Sequence, residues 1–371
     1  MLVIGGDYYT YSQRELLSET KDRWSFVLQH HSIAAALLYF VLLPAQLLIF
    51  VFDLLPWHLA GWFFALLVAE HGAQEINRLL VAMQRQILAS LVLLVRMGLW
   101  VWVALGLMWI NPSYRQIETV FAAWLVGALL AAAAGFVVVW REGRPWRSWP
   151  VDWTWLRKGF AVALLYLIAT TSFRSLMTFD RYFVEALAGQ DYLGVYVLYI
   201  GMAMAVISVV DAGVFFFLYP KLVAAQRQDD MVQVRKLMKE LTIWALGVSI
   251  VIGLLVGLFA PWTVVTWIGN PLYAEHLHVL WLLLLMAVIY ALGMVAHYGL
   301  YAHGADKSIL FAHISSLLVF FTAVTLLANL LPFEATAVAL NLGFAWMGML
   351  KYLRLRKVRL TASAEASSPT Q

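Results

Sequence analysis

Apolar residues along this chain neither alternate with polar ones nor keep to one side of a helical wheel. They run on in long blocks. Ten blocks occupy residues 32–55, 57–82, 86–110, 115–140, 155–182, 192–219, 241–267, 277–303, 307–331 and 333–353. Each is about as long as the ~20 apolar residues a helix needs to cross a bilayer. Turn residues punctuate them: Leu55-Pro56 after the first, Asn111-Pro112-Ser113 after the third, Gly269-Asn270-Pro271 after the seventh, Leu331-Pro332 after the ninth. Proline and glycine at such points end a helix. The lack of alternation excludes a transmembrane β-barrel. The pattern predicts an all-α polytopic membrane protein with ten transmembrane helices.

Composition sharpens this picture. Of 371 residues, 63% are hydrophobic and 12% charged. Soluble domains carry roughly 25% charged residues, so this chain could not cover itself in water. Trp57, Trp109, Trp140, Trp153, Trp155, Trp262 and Trp267 fall at predicted helix ends, where an interfacial aromatic belt would stand. No cysteine is present, which removes disulfides, thiolate metal sites and cysteine nucleophiles together.

Charge sets the orientation. With a cytoplasmic N-terminus, twenty of the twenty-five Lys and Arg residues fall in or beside cytoplasmic loops. One, Arg115, falls outside, and Arg78, Arg96, Arg174 and Arg181 lie within helices or at their edges. The positive-inside rule therefore favours ten helices with both ends of this chain cytoplasmic.

The blocks group into lobes. Residues 1–31 lack the basic start and apolar centre of a signal peptide and read as a cytoplasmic interfacial loop. Residues 32–140 would form a first lobe of four helices. Residues 141–154, with two prolines, a glycine and three arginines, read as a basic cytoplasmic linker that cannot be one continuous helix. Residues 155–357 would form a second lobe of six helices. Within it, 221–240 reads as an amphipathic surface helix or a solvated connector. Residues 358–371 are small and polar and are expected to be disordered.

Ionisable groups inside membrane helices are costly, about 2.5–3.5 kcal/mol each on insertion scales, and so mark function. The second block is the most polar. Glu70, Gln74 and Arg78 recur every four residues on one face, with Asn77 close by. That face predicts a cavity lining, or, for Glu75 and Arg78, cytoplasmic water. Glu70 and Arg96 each lie ~20 Å from the outer ends of adjacent antiparallel helices, so they can pair, in a structural role or in a cavity. Arg174 is deep enough to need an anion, a carboxylate or a ligand phosphate. Asp180-Arg181 reads as an outer gate or an interfacial cap. Asp211, His297 and His313 could relay protons or hydrogen-bond between helices.

Enzyme signatures are missing: no zinc-protease helix, nucleophile elbow or phosphate-binding loop occurs. No cofactor, metal or nucleic-acid partner is expected. Several stretches resemble the bacterial polysaccharide and O-antigen flippases of the multidrug/oligosaccharidyl-lipid/polysaccharide exporter superfamily. These are Asp180-Arg181-Tyr182-Phe183 followed by Leu193-Gly194-Val195-Tyr196, then Asp211-Ala212-Gly213 and Tyr219-Pro220-Lys221-Leu222. Tyr8 to Glu15 and the helix holding Glu70 and Arg78 are similar too.

The resemblance implies a two-lobed MATE-like architecture in the inner membrane. It implies movement of a polyprenyl-diphosphate-linked oligosaccharide for O-antigen or exopolysaccharide synthesis, beside a polymerase and glycosyltransferases. Arg174, Arg96 and Arg78 would meet the diphosphate, with Glu70, Gln74 and Asn77 beside them. Asp211, His297, Asp180 and Arg181 would couple or gate. Family members have twelve or more helices, so this chain resembles one lacking its first two, through a late start or an incomplete first lobe. Three other readings stand beside it: an ion-coupled exporter of small amphipathic molecules, an integral-membrane polymerase or ligase acting on polyprenyl lipids, which the short outside loops disfavour, and a non-transporting remnant.

Overall fold

A computed structural model describes residues 2–18, 20–144 and 149–367. After a short turn at Leu2–Gly5, the chain forms α1 (Tyr9–Ser18), α2 (Lys21–Val51), α3 (Ala60–Ala82), α4 (Gln86–Ile110) and α5 (Ile117–Gly143). It continues through α6 (Trp153–Ala188), α7 (Gln190–Arg227), α8 (Met231–Ile268), α9 (Leu277–Ala302), α10 (Asp306–Leu327) and α11 (Ala335–Ser367). Among the described residues, eight helices are long and apolar enough to cross a membrane: α2 and α4 to α10. The two other long helices, α3 and α11, carry Glu70, Glu75 and Arg78, and Lys351, Arg354 and Arg356. Residues 145–148 of the expected linker and 368–371 of the expected tail lie outside the described set.

Local chemistry explains where the helices stop. Asn111 and Asn270 act alike: each side-chain oxygen accepts a bond from the backbone N–H two residues on, at 3.0 Å, and a proline follows. Each turn satisfies a donor of the short helical segment that follows, Pro112–Tyr114 or Pro271–Glu275, and proline pre-sets that segment's first residue. Gly269 closes α8 at φ +66°. Asp230 caps α8 through the Gln233 N–H at 2.9 Å.

Contacts divide the chain inside α6 into two compact units, Met1–Leu167 and Ile168–Gln371. In the first unit, α3 and α5 pack closely. Gly135 lies against Ile76 and Leu80, and Gly127 under Trp100. The second unit is built around α9, the most deeply buried of the eight spans. Tyr196, Tyr199, Leu283, Phe320 and Phe344 fill its core. Outer faces carry exposed residues such as Trp102, Ile110, Leu258 and Leu318, as expected where lipid is the solvent.

Four expectations need correction. Residues 1–31 are not an interfacial loop. Ile4, Asp7, Tyr8, Thr10, Tyr11, Ser12, Gln13 and Arg14 are buried. Gly6 and Asp7 take left-handed conformations, at φ +50° and +53°, that turn the chain between Leu2–Gly5, which packs against α2, and α1. Residues 221–240 are not a surface helix: α7 runs to Arg227, the chain turns, and α8 starts at Met231. The apolar positions Val234, Leu237 and Met238 face inward, while Val232 is exposed. Trp155 is no belt residue. It packs on Tyr11 at 4.8 Å, whereas the six other tryptophans are exposed. Finally, α11 continues as helix to Ser367, through residues expected to be disordered; alanine and leucine in that stretch extend a helix already begun.

Candidate functional site

In the first unit two charged centres lie along α3. The first is Glu70. Its Oε1 stands 3.5 Å from Arg96 Nη1, and Trp124 Nε1 donates to its Oε2 at 3.4 Å. Trp100 stacks on Trp124 with ring centres 5.6 Å apart. Arg96 occupies a π-turn at Val95–Leu99. The extra residue in such a turn re-aims side chains without ending the helix. The Glu70 and Arg96 side chains are both nearly inaccessible.

The second centre is Glu75. Arg78 Nη1 donates to its Oε1 at 2.5 Å, and His31 Nε2 lies 3.3 Å from its Oε2. His71 Nε2 is 3.7 Å away. A second layer holds these groups. Ser12 bonds His31 Nδ1 and Tyr39 bonds His71 Nδ1, each at 2.8 Å. The Arg78 guanidinium stands 3.5 Å over the Tyr9 ring, and Gln13 donates to the Arg78 carbonyl at 2.7 Å. Gly5 leaves room for the His71 ring: a Cβ there would come within 2.5 Å of Nε2. Helix α1 thus roofs a carboxylate ringed by two imidazoles and a guanidinium, a group able to take up and release a proton. Beside it, burial and then Tyr11 push the Tyr8 hydroxyl well above the usual phenol range.

The single polar stripe expected along α3 therefore resolves into two centres. Arg78 is two turns from Glu70 but has a carboxylate three residues away, and turns to it. Asn77 donates to the Ala89 carbonyl at 2.6 Å and ties α3 to α4. Gln74 is half-buried between the centres. Ser12, His31, Tyr39 and Trp124 are partners that no spacing in the sequence announces.

In the second unit Asp211 opens a π-turn, Asp211–Phe215, ahead of Pro220. Proline cannot donate to the carbonyl four residues back, which weakens the helix at this point. The Tyr290 hydroxyl stands 3.5 Å from Asp211 Oδ2. Arg174 is within electrostatic reach of both. Among the described residues, Asp211 Oδ1 is buried without a hydrogen-bond donor. Arg174, Asp211 and Tyr290 thus form a third centre, from α6, α7 and α9.

Asp180 is fully buried, accepting from the Tyr196 hydroxyl at 2.8 Å and from the Arg181 N–H. Arg181 itself is exposed. His313 bonds the Ala169 carbonyl at 2.9 Å, and its ring is 5.9 Å from that of His297. Lys351, expected at the cytoplasmic side, is buried in α11 within electrostatic reach of His313. Arg78 and Arg96 belong to the first unit and Arg174 to the second.

No protein-family model matches the sequence, and neither does any curated protein. Solved structures do match the fold. A proline-to-alanine mutant of a MATE transporter superposes with TM-score 0.79 at 14% identity, over 98% of this chain and 86% of that one. An outward-facing multidrug resistance MATE family transporter of the MOP superfamily gives 0.78 at 15%, over 99% and 86%. A mutant of the Vibrio cholerae MATE transporter VcmN gives 0.73 at 15%, over 97% and 85%. With its apolar helices, the chain is a multi-pass membrane protein with the fold of the MATE transporters.

Proposed function

We propose that the chain is an exporter of the MOP superfamily that moves a polyprenyl-diphosphate-linked oligosaccharide across the bacterial inner membrane. The observation that carries this reading is the Arg174–Asp211–Tyr290 centre on a MATE fold. It offers an exposed guanidinium, the cation an anionic diphosphate needs, beside a carboxylate that can release it. The stretches 180–196 and 211–222, similar to those of polysaccharide flippases, supply the substrate class. In this reading α3 and α11 also span, which gives ten spans with both ends of the chain in the cytoplasm. The lipid tail stays in the bilayer while the lobes rock in alternating access. The Glu75 centre is the proton-coupling candidate, with Asp211 and His297. Surface-polysaccharide polymerase and glycosyltransferases are the proposed partners.

A second reading has its own support. Matching structures include a multidrug resistance transporter, and the same centre would suit an ion-coupled exporter of small amphipathic molecules.

Deletion of the gene separates them. On the first reading, lipid-linked repeat units accumulate and surface polysaccharide disappears. Complementation with Arg174→Ala then restores less than a tenth of the polysaccharide, at normal protein levels. Unchanged polysaccharide after deletion sinks the first reading and leaves the second.

A further inference from the structure

A groove on the second unit lies apart from the charged centres. It holds about 600 Å³ between α8, α9 and α11. This falls within the ~300–1,000 Å³ of ordinary ligand sites. Its floor is Gly293 and Gly348: a Cβ on either would come within 3.3 Å of the other's Cα. Two helices meet backbone to backbone there, as small residues permit in membranes, and no side chain fills the depth. Its walls are apolar. Even Thr242 is satisfied, donating to the Met238 carbonyl at 2.8 Å.

One end differs. Arg235, Lys239 and Thr242 follow each other at four and three residues along α8, so they share a face. The two cations, both exposed, stand at the mouth where α8 begins. No carboxylate is among the described residues that line the groove. A slot apolar along its length and doubly cationic at its membrane-surface end is complementary to one kind of molecule. A larger groove on the first unit, about 790 Å³, carries no charge at all and has nothing to select a headgroup.

We propose that this groove is a binding site for an anionic phospholipid, with the acyl chain against Gly293 and Gly348 and the phosphate headgroup between Arg235 and Lys239. Basic pockets between membrane helices recognise anionic headgroups through charge-assisted bonds. The site is independent of the transported substrate.

Native mass spectrometry of the full chain in detergent tests it. Phosphatidylglycerol, phosphatidylcholine with the same acyl chains, and a polyprenyl phosphate are titrated in turn. One phosphatidylglycerol is retained at least tenfold more tightly than phosphatidylcholine. The Arg235→Glu/Lys239→Glu double variant loses that preference. Thr242→Trp, which fills the slot from one wall, loses retention of both lipids. Both variants elute as the wild type does. Equal retention of the two phospholipids by the wild type overturns the proposal, as does a preference that survives the charge reversal. Tighter retention of the polyprenyl phosphate, with displacement of phosphatidylglycerol, also overturns it and assigns the groove to a substrate lipid. The charge-reversal result decides alone if the Thr242 variant does not fold.

Discussion

Glu70 and Arg96 show how far a sequence can place a single contact. Their equal depth on antiparallel neighbours is enough to pair them, and they stand 3.5 Å apart. Arg174 and Asp211 show the limit. Depth is readable for each, but which helices become neighbours depends on packing that no local pattern encodes. The buried pair on α3 and α4 makes a sharp prediction. Removing one partner of a buried ion pair leaves an uncompensated charge and costs roughly 3–5 kcal/mol in soluble proteins. Glu70→Gln is therefore expected to lower the melting temperature of the detergent-solubilised protein by several degrees. Glu70→Gln/Arg96→Met should recover most of that loss, because no charge is left behind. A double variant as unstable as the single one would show that the pair itself, not the orphaned cation, matters.

At the scale of elements, the long apolar helices are plain in the sequence and the irregular ones hidden. A π-turn adds one residue to one turn, and a helix apolar on all sides keeps its pattern through the insertion. Nothing in the run over residues 206–218 announces the wide turn at Asp211–Phe215. The segment 2–18 is hidden for another reason. Its buried residues are mostly polar or tyrosine, and it folds on partners such as His31 and Arg78 that lie further along the chain. The π-turn can be tested directly. Deleting Gly213, whose surroundings are open, should close the turn to ordinary helix and keep the register beyond it. The stack of Tyr219 on Tyr298, 5.0 Å between centres, is then retained, and the protein is produced and melts near the wild type. Asp211 shifts relative to Tyr290, so complementation of the deletion strain fails. Deleting Ala203, buried in regular helix, rotates everything that follows by ~100° and should abolish production. Normal complementation by the Gly213 deletion would remove the turn from the mechanism.

For the whole molecule, turn residues and loop charge lead to a count of spans that length and composition alone do not reproduce. Among the described residues, eight helices qualify by length and apolarity, and α3 and α11 are not among them. In α3 the charges have partners: Glu70 with Arg96, Glu75 with His31 and Arg78. A paired charge facing the interior does not meet lipid, so such a helix can span despite its composition. The positive-inside split points the same way, because removing α3 as a span would invert every loop after it. The chain has no cysteine, so single cysteines can report topology without background. His58→Cys, Asn111→Cys and Asn329→Cys are expected to react with a membrane-impermeant maleimide on intact spheroplasts. Gln84→Cys, Gln228→Cys and Arg356→Cys are expected to react only after permeabilisation. All six positions are at least partly exposed in their own units, so failure to label reports the side of the membrane rather than burial. If His58→Cys and Gln84→Cys label from the same side, α3 does not cross, and the Glu70 and Glu75 centres lose their place within the bilayer. If Asn329→Cys and Arg356→Cys label together, α11 does not cross either, and the Lys351 ammonium is buried by protein alone.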